Sequence, residues 1–286
     1  MLKVIKAGVY ASVQDHGRLH YRAFGVPTSG AMDQYAFKMA NKIIGNQLGE
    51  AVIEITMGGT SFEALDDVDI SITGADLKAT VDDEAVDIWQ VISLKKGQNL
   101  AFKGPEAGLR SYIAFPGGID APEYMGSKSV YEKAGLGEVL GSGDIIVSNE
   151  QKSLDHTHVG LQQIPTYTKE TTVNVIPSIH ETLFEDESVK LFYNEAFTLK
   201  QGDRMGALLE GVSKIDQIEK GNIVSEATTF GTIQIPPSGH PMILLADAQT
   251  TGGYPTMGTI HSEDVWRISQ LPPGGKIHFN RYNQFS

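Results

Sequence analysis

Leu94-Lys95-Lys96-Gly97-Gln98-Asn99-Leu100-Ala101-Phe102 reads as a turn that opens into a strand, and it has a second copy: Leu271-Pro272-Pro273-Gly274-Gly275-Lys276-Ile277-His278-Phe279. In both, an aliphatic residue and a glycine precede an alternating aliphatic-x-Phe pair, the pattern of a half-buried strand. Working outward, Val4-Ile5 finds Val175-Ile176, Met32 finds Met205, Ile53-Glu54-Ile55-Thr56 finds Ser225-Glu226-Ala227-Thr228, and Ala75-Asp76 finds Ala246-Asp247. The offset holds at 171 to 173 and rises to 177 only at the last pair, where Gln249 to Tyr254 reads as a loop insertion. Five matches in one order point to an internal duplication. The expected organisation is two related β-domains, residues 1–150 and 170–286, joined by a polar linker from Asn149 to Lys169.

The rest of the chain agrees with a mainly β fold. Short aliphatic runs bounded by glycine or proline recur at Val52–Thr56, Asp69–Thr73, Leu109–Phe115, Asp144–Val147, Thr232–Ile235 and Met242–Leu245. With 31 glycines and few helical stretches, such runs argue for barrels or sandwiches. One helix is expected from Ser29 onward, because Met32, Tyr35, Ala36, Met39, Ala40 and Ile43 recur at helical spacing and Gly45 supplies a stop. Ser29 is its expected cap. A weaker helix is expected from Ser178 to about Tyr193.

Composition narrows the function classes. The chain has 286 residues, no cysteine and a formal charge of −12. Without cysteine there are no disulfides, thiolate metal sites or cysteine nucleophiles, which suits a cytoplasmic protein. No cluster of lysine and arginine stands out, so nucleic-acid binding is not expected. The first residues lack a signal-peptide core, and the longest aliphatic runs are far short of a membrane span.

Three polar constellations stand apart from the strand pattern. The first is Ser12-Val13-Gln14-Asp15-His16-Gly17-Arg18, followed by Gly25-Val26-Pro27-Thr28-Ser29-Gly30-Ala31-Met32-Asp33. A shaped loop ending at a helix start offers amides to an anion, although Asp15 and Arg18 pairing with each other explains them equally well. The second is Asp203-Arg204-Met205-Gly206, where the arginine either grips an anion or forms a structural salt bridge. The third joins Ser225-Glu226 and Gly231-Thr232-Ile233-Gln234 to Asp247-Ala248-Gln249-Thr250-Thr251-Gly252-Gly253-Tyr254-Pro255. There a buried-strand run ends in a density of polar residues and glycines that a plain loop does not need. Other signals fail: Gly126-Ser127-Lys128-Ser129 lacks the P-loop frame, no H-E-x-x-H or G-x-S-x-G occurs, and His156 and His158 alone do not make a metal site. No metal is expected.

The series SVQDHGR, GVPTSGAMD, IIGN, ITGADL, PGGID, DRMG, SEATTFGTIQIP and LLADAQTTGGYP, spread from Val4 to about Phe279, resembles the 5-oxoprolinase C-type family, also called KipA or allophanate hydrolase subunit two. The resemblance implies two cyclophilin-like β-barrel domains with a few short helices. It further implies a cytoplasmic complex with 5-oxoprolinase subunits A and B, the latter KipI-like, that uses ATP to hydrolyse 5-oxo-L-proline to L-glutamate; this chain alone would be inactive. Within the same family the alternatives are carboxyl transfer from biotin in a urea carboxylase or allophanate system, and a KipA-like regulatory protein that antagonises a kinase inhibitor. Carried onto this chain, Asp247, Glu226 and Gln249 would be catalytic. Arg18, Arg204, Asp15, Thr250, Thr251, Gly252, Gly253 and Tyr254 would bind substrate. The chain departs from the family pattern at Ser178-Ile179-His180, where glycine and often glutamine are usual, at Thr256, where a basic residue is common, and at Val130, where threonine is usual.

Overall fold

The computed structural model describes residues 1–150, 160, 163–219 and 221–283. The chain forms two compact units: Met1–Leu19 with Ser29–Tyr167, and His20–Thr28 with Thr168–Ser286. His156 and His158 lie outside the described residues, as does much of the expected linker. The described end of that stretch packs rather than links, since Ile164 and Tyr167 lie against the helix core of the first unit.

In the first unit a seven-stranded and a five-stranded sheet enclose one core. The larger runs in the order Ile119–Asp120, Ile145–Ser148, Leu2–Ala7, Thr60–Ala64, Asn99–Phe102, Ala79–Val81, Glu84–Ala85, and the smaller in the order Tyr10–Gln14, Val52–Thr56, Ala107–Ala114, Val68–Asp76, Gln90–Leu94. Strand parity sorts the side chains. Ile53, Ile55, Ile70, Ile72 and Ile113 enter the core between the sheets. Val52, Tyr112 and Ala114 face the other way, onto helix α1 (Gln34–Ile43), where they meet Ala36, Phe37 and Ala40. Ser71 and Thr73, of that same outward parity, donate hydroxyls to the carbonyls of Ala40 and Ala36 at 2.6 and 2.7 Å.

Helix α1 begins later than its periodicity suggests. Asp33, not Ser29, is the cap: its Oδ1 accepts from the Ala36 amide at 2.9 Å. Ser29 has a φ of 57°, a turn conformation that cannot start a helix. Glu54, fully buried, fixes this entry by accepting the Met32 amide at 2.8 Å and the Tyr112 hydroxyl at 2.9 Å.

The second unit is a closed barrel in the order Glu170–Pro177, Thr256–Ile260, Thr232–Gln234, Met242–Leu244, Gly206–Glu210, Ala196–Gly202, Lys276–Arg281, the last pairing in parallel with the first. Closure leaves this sheet no free edge. The helix expected from Ser178 to Tyr193 is divided into a 3₁₀ turn, Ile179–Leu183, and helix α2, Asp186–Asn194. Between them Phe184 is extended and buried. The apolar demand of the core at Phe184 overrides helical continuity. Helix α3 spans Val265–Ser269.

The repeated leucine-glycine-phenylalanine motif has the same local structure in both copies. Gly97 and Gly274 take φ of 86° and 82°, conformations that favour glycine, and each leads into a strand. Leu94, Leu100 and Phe102 are buried in one core, and Leu271, Ile277 and Phe279 in the other. Phe279 stacks on Phe192 with centroids 4.4 Å apart, and Phe197 packs against both at 5.6 and 5.8 Å. Other repeat pairs differ in setting: Glu54 is buried on a five-residue strand, whereas Glu226 is exposed on a two-residue one. Among the described residues the architecture is mainly β with three α-helices, none of them long and apolar enough to cross a membrane.

Candidate functional site

In the barrel unit, the strand Met242–Leu244 runs out into Leu245-Ala246-Asp247 and the polar loop through Tyr254. Asp247 and Arg204 are bound to each other. Arg204 Nε donates to Asp247 Oδ2 at 2.8 Å and Nη2 to Oδ1 at 3.1 Å, both side chains being buried. The backbones join too, Asp247 N donating to Arg204 O at 2.8 Å. Asp203 shapes the turn behind Arg204 by accepting from the amides of Met205 and Gly206 at 2.7 and 3.1 Å. Of the two sequence readings of Arg204, anion grip or structural salt bridge, this geometry is the second.

The rest of the loop is pinned through its backbone, which leaves several side chains outward. Thr228 donates its amide to Thr250 O at 3.0 Å and its hydroxyl to Gln249 O at 2.6 Å. Thr251–Gly252 pairs with Glu226–Ala227, placing Glu226 opposite Gly252. Gly253 O accepts from the Ile223 amide at 2.9 Å. Glycine at 252 leaves room for Gln234, whose Nε2 would stand 2.2 Å from a Cβ there and would have to shift. Glu226, Gln249, Thr251 and Tyr254 keep exposed side chains, whereas Thr250 is buried. Gln249 also lines a cleft of about 410 Å³ with Gln201, Asp203, Met205, Gly206 and Met242.

Arg22, which no motif singled out, belongs to the same unit. Its Nη2 donates to the carbonyl of Thr228 and, at 3.4 Å, to that of Thr250, and burial lowers its guanidinium pKa. A lone arginine in a loop distant in sequence carries no signal of such a role. Also unforeseen as a group are Ser178, His180 and Thr256. Ser178 Oγ and Thr256 Oγ1 are 2.8 Å apart, His180 Nδ1 and Thr256 Oγ1 3.1 Å, and His180 Nδ1 and Glu226 Oε1 3.5 Å. Three of the positions at which the chain departs from the family pattern thus meet one another and Glu226. The departure from the family pattern is visible in the sequence, but the meeting of these positions with Glu226 is set by tertiary contact.

Asp15 and Arg18 lie in the first unit. Asp15 accepts from Gly17 N at 2.8 Å, Ser127 Oγ at 2.7 Å, Ser129 Oγ at 2.6 Å and Lys128 N at 2.7 Å. Arg18, fully buried, donates through Nη2 to the carbonyl of Ser129. Both residues therefore serve the Gly126–Ser129 loop. The amides and hydroxyls a phosphate would need there already hold a carboxylate, and Lys128 Nζ donates to Ile119 O at 2.7 Å. These residues do not fit a nucleotide phosphate cradle. Among the described residues, no group of three or more His, Asp or Glu is arranged to hold a metal ion.

Comparison with known proteins matches this architecture across the whole chain. The model of the carboxyltransferase domain, subdomain A and B, matches residues 24–281. The chain is 36% identical to the 5-oxoprolinase C-type subunit of Escherichia coli over 98% of its own length and 90% of that protein's, and 30% identical to the Haemophilus influenzae counterpart over the same shares. It is 30% identical to the urea amidolyase of Lachancea kluyveri, covering 97% of this chain and 17% of that one. Among solved structures, the K. lactis urea amidolyase superposes with a TM-score of 0.91 at 27% identity, over 99% of this chain and 19% of that much longer one. Two mainly β units, the pinned QTTGGY loop and matches of this extent lead to one assignment: the chain belongs to the carboxyltransferase domain family, subdomain A and B.

Proposed function

We propose that this chain is the C-type subunit of an ATP-dependent 5-oxoprolinase, acting in the cytoplasm with A- and B-type subunits to hydrolyse 5-oxo-L-proline to L-glutamate. The observation that carries the reading is the extent of the match: 90% of each of two 5-oxoprolinase C-type subunits is covered, against 17% of a urea amidolyase. A five-membered lactam is a stable amide. Opening it requires donors for the developing oxyanion and a proton for the departing ring nitrogen. Glu226, Gln249, Thr251 and Tyr254 have side chains free to reach substrate, and the Gly252-Gly253 backbone lies among them. Glu226 is the proton-handling group in this reading. Arg204 and Asp247, neutralising each other, brace the loop on which the others sit. Arg18 and Asp15 brace the Gly126–Ser129 loop. ATP is placed at the level of the complex in this reading; the Gly126–Ser129 loop is already filled by the Asp15 carboxylate.

The second reading is carboxyl transfer from biotin, favoured by the TM-score of 0.91 to the K. lactis urea carboxylase. One experiment separates the two. The chain is co-purified with the A- and B-type subunits and assayed for ATP-dependent glutamate release from 5-oxoproline, with and without it. Activity that requires this chain supports the hydrolase, and the isolated chain is expected to be inactive. If the complex ignores 5-oxoproline but carboxylates urea when given a biotinylated carrier and its carboxylase, the second reading replaces the first.

A further inference from the structure

The 3₁₀ turn Ile179–Leu183 holds His180 against the start of the strand Thr256–Ile260. Ser178 Oγ caps the turn by accepting from the His180 amide at 3.1 Å, and it lies 2.8 Å from Thr256 Oγ1. Three protein atoms converge on His180 Nδ1: Thr256 Oγ1 at 3.1 Å, the Thr256 amide at 3.4 Å, and Glu226 Oε1 at 3.5 Å. The imidazole is 13% exposed and the carboxylate 44%. Glu226 in turn sits opposite Gly252 of the polar loop. Glu181, on the same turn as His180, is occupied by the Tyr193 hydroxyl at 2.6 Å and by Arg281.

The chemistry of these three neighbours differs. A backbone amide only donates, an ionised carboxylate only accepts, and a threonine hydroxyl does either. Nδ1 therefore has a partner both with its proton and without it. With the proton it donates to Glu226 or to Thr256 Oγ1; without it, it accepts from the Thr256 amide and hydroxyl. Nδ1 itself is left without a partner in neither state, so the usual penalty for an unmet hydrogen bond does not arise at that atom. A histidine kept only for packing needs partners for one state. The Ser178–Thr256 hydroxyl contact lets the threonine rotor follow the proton.

We propose that His180 and Glu226 form a proton-transfer pair serving the Glu226–Gly252 face, with Glu226 the group that meets substrate and His180 the positioning residue that supplies its proton. The pair rests on the lactam-opening reading. In that reaction the ring C–N bond breaks with its electron pair leaving on nitrogen, while the oxygen of the attacking water stays on the carbonyl carbon. The His180 Nδ1 proton passes to the Glu226 carboxylate and from there to that nitrogen, and the proton lost by the water returns to the imidazole. These proton movements consume one water and balance among themselves; the ATP of the proposed reaction is used by the complex as a whole. The substrate class is a secondary amide whose nitrogen is the leaving group.

The test uses the reconstituted complex with His180→Gln and Glu226→Gln, measuring kcat, KM and the pH–rate profile for 5-oxoproline hydrolysis. Each variant is expected to lose about 100-fold in kcat, the lower range for a proton-transfer group, with KM nearly unchanged. Each should also remove the same ionisation from the kcat profile, and the double variant should be no worse than the poorer single one. Thr256→Val, which removes only the hydroxyl, should show a smaller loss. If His180→Gln does not assemble, the exposed Glu226→Gln decides the matter. A variant complex that keeps kcat and its pH profile overturns the pair, as does a loss of thermal stability with the profile intact. A wild-type complex that does not hydrolyse 5-oxoproline overturns the lactam reading and this inference with it. An active wild type with unaffected variants overturns this inference alone.

Discussion

Arg204 and Asp247 form a two-bonded ion pair inside the barrel unit, Nε to Oδ2 at 2.8 Å and Nη2 to Oδ1 at 3.1 Å. Breaking a buried pair from one side leaves the other charge uncompensated, which costs about 3–5 kcal/mol. Arg204→Ala and Asp247→Asn are therefore expected to lower the urea midpoint sharply, with loss of the loop's order and of activity together. The paired replacement Arg204→Met with Asp247→Leu should recover much of that stability, because removing both charges removes the desolvation cost. Single variants as stable as the wild type would show that the pair is not a brace.

Gly252 and Gln234 are fitted to each other: the glycine has no Cβ where one would stand 2.2 Å from Gln234 Nε2 and 3.2 Å from Thr228 Cγ2. Gln234 is 1% exposed, so it has little room to withdraw. Gly252→Ala should cost about 1–3 kcal/mol through overpacking. Gln234→Ala in the same chain should relieve most of it. Urea denaturation of the two singles and the double reads the coupling directly; additive losses would mean that the strain lies elsewhere.

Phe279 is the anchor of the second copy of the repeated motif and lies in the stack with Phe192 and Phe197. Phe279→Ala should cost about 3–5 kcal/mol, the range for deleting a buried ring. Phe102→Ala, in the first copy, should fall in the same range, since Phe102 is 1% exposed and packs edge-on to Phe62 at 6.5 Å. A loss below about 1 kcal/mol at either position would mean that its core relaxes around the cavity.

These two phenylalanines also mark what was legible in the sequence. Burial and turn conformation repeat at Leu94-Gly97-Leu100-Phe102 and Leu271-Gly274-Ile277-Phe279 because both are set locally, by a glycine at positive φ and a period of two. Strand runs such as Val52–Thr56 were legible for the same reason. The cap at Asp33 in place of Ser29, and the break at Phe184, were not: each is decided by a tertiary partner, Tyr167 and Tyr112 at Asp33, the barrel core at Phe184. The density of the Asp247–Tyr254 loop was visible as composition. That Arg204 would be spent on Asp247, that Arg22 would hold the carbonyls of Thr228 and Thr250, and that His180 would meet Thr256 and Glu226 depended on contacts between segments 43 to 228 residues apart. No local pattern encodes these.

Tyr112 gives a prediction in pH. Its ring is fully buried, its hydroxyl donates to Glu54 Oε2 at 2.9 Å and accepts from the Asp33 amide at 2.7 Å. Burial first, and the nearby Glu54 and Asp33 charges next, push its pKa well above the usual tyrosine value. As pH rises past about 10, the unfolded chain ionises at this residue while the folded chain does not, so the unfolded state binds fewer protons and stability falls. The slope contributed by one such group is about −1.4 kcal/mol per pH unit, continuing until the folded-state value is reached. Tyr167 and Tyr193 are raised as well, both chiefly by burial, so the wild type should lose stability more steeply than one tyrosine explains. Tyr112→Phe should be less stable near neutrality by about 1–3 kcal/mol, because Glu54 and the Asp33 amide lose a partner. Its decline above pH 10 should nonetheless be shallower, bringing the two curves together. Urea denaturation of both proteins from pH 8 to 11, on either side of the ordinary tyrosine value, measures the difference in slope. Parallel curves would mean that Tyr112 ionises equally in both states and that its hydroxyl does not depend on burial against Glu54.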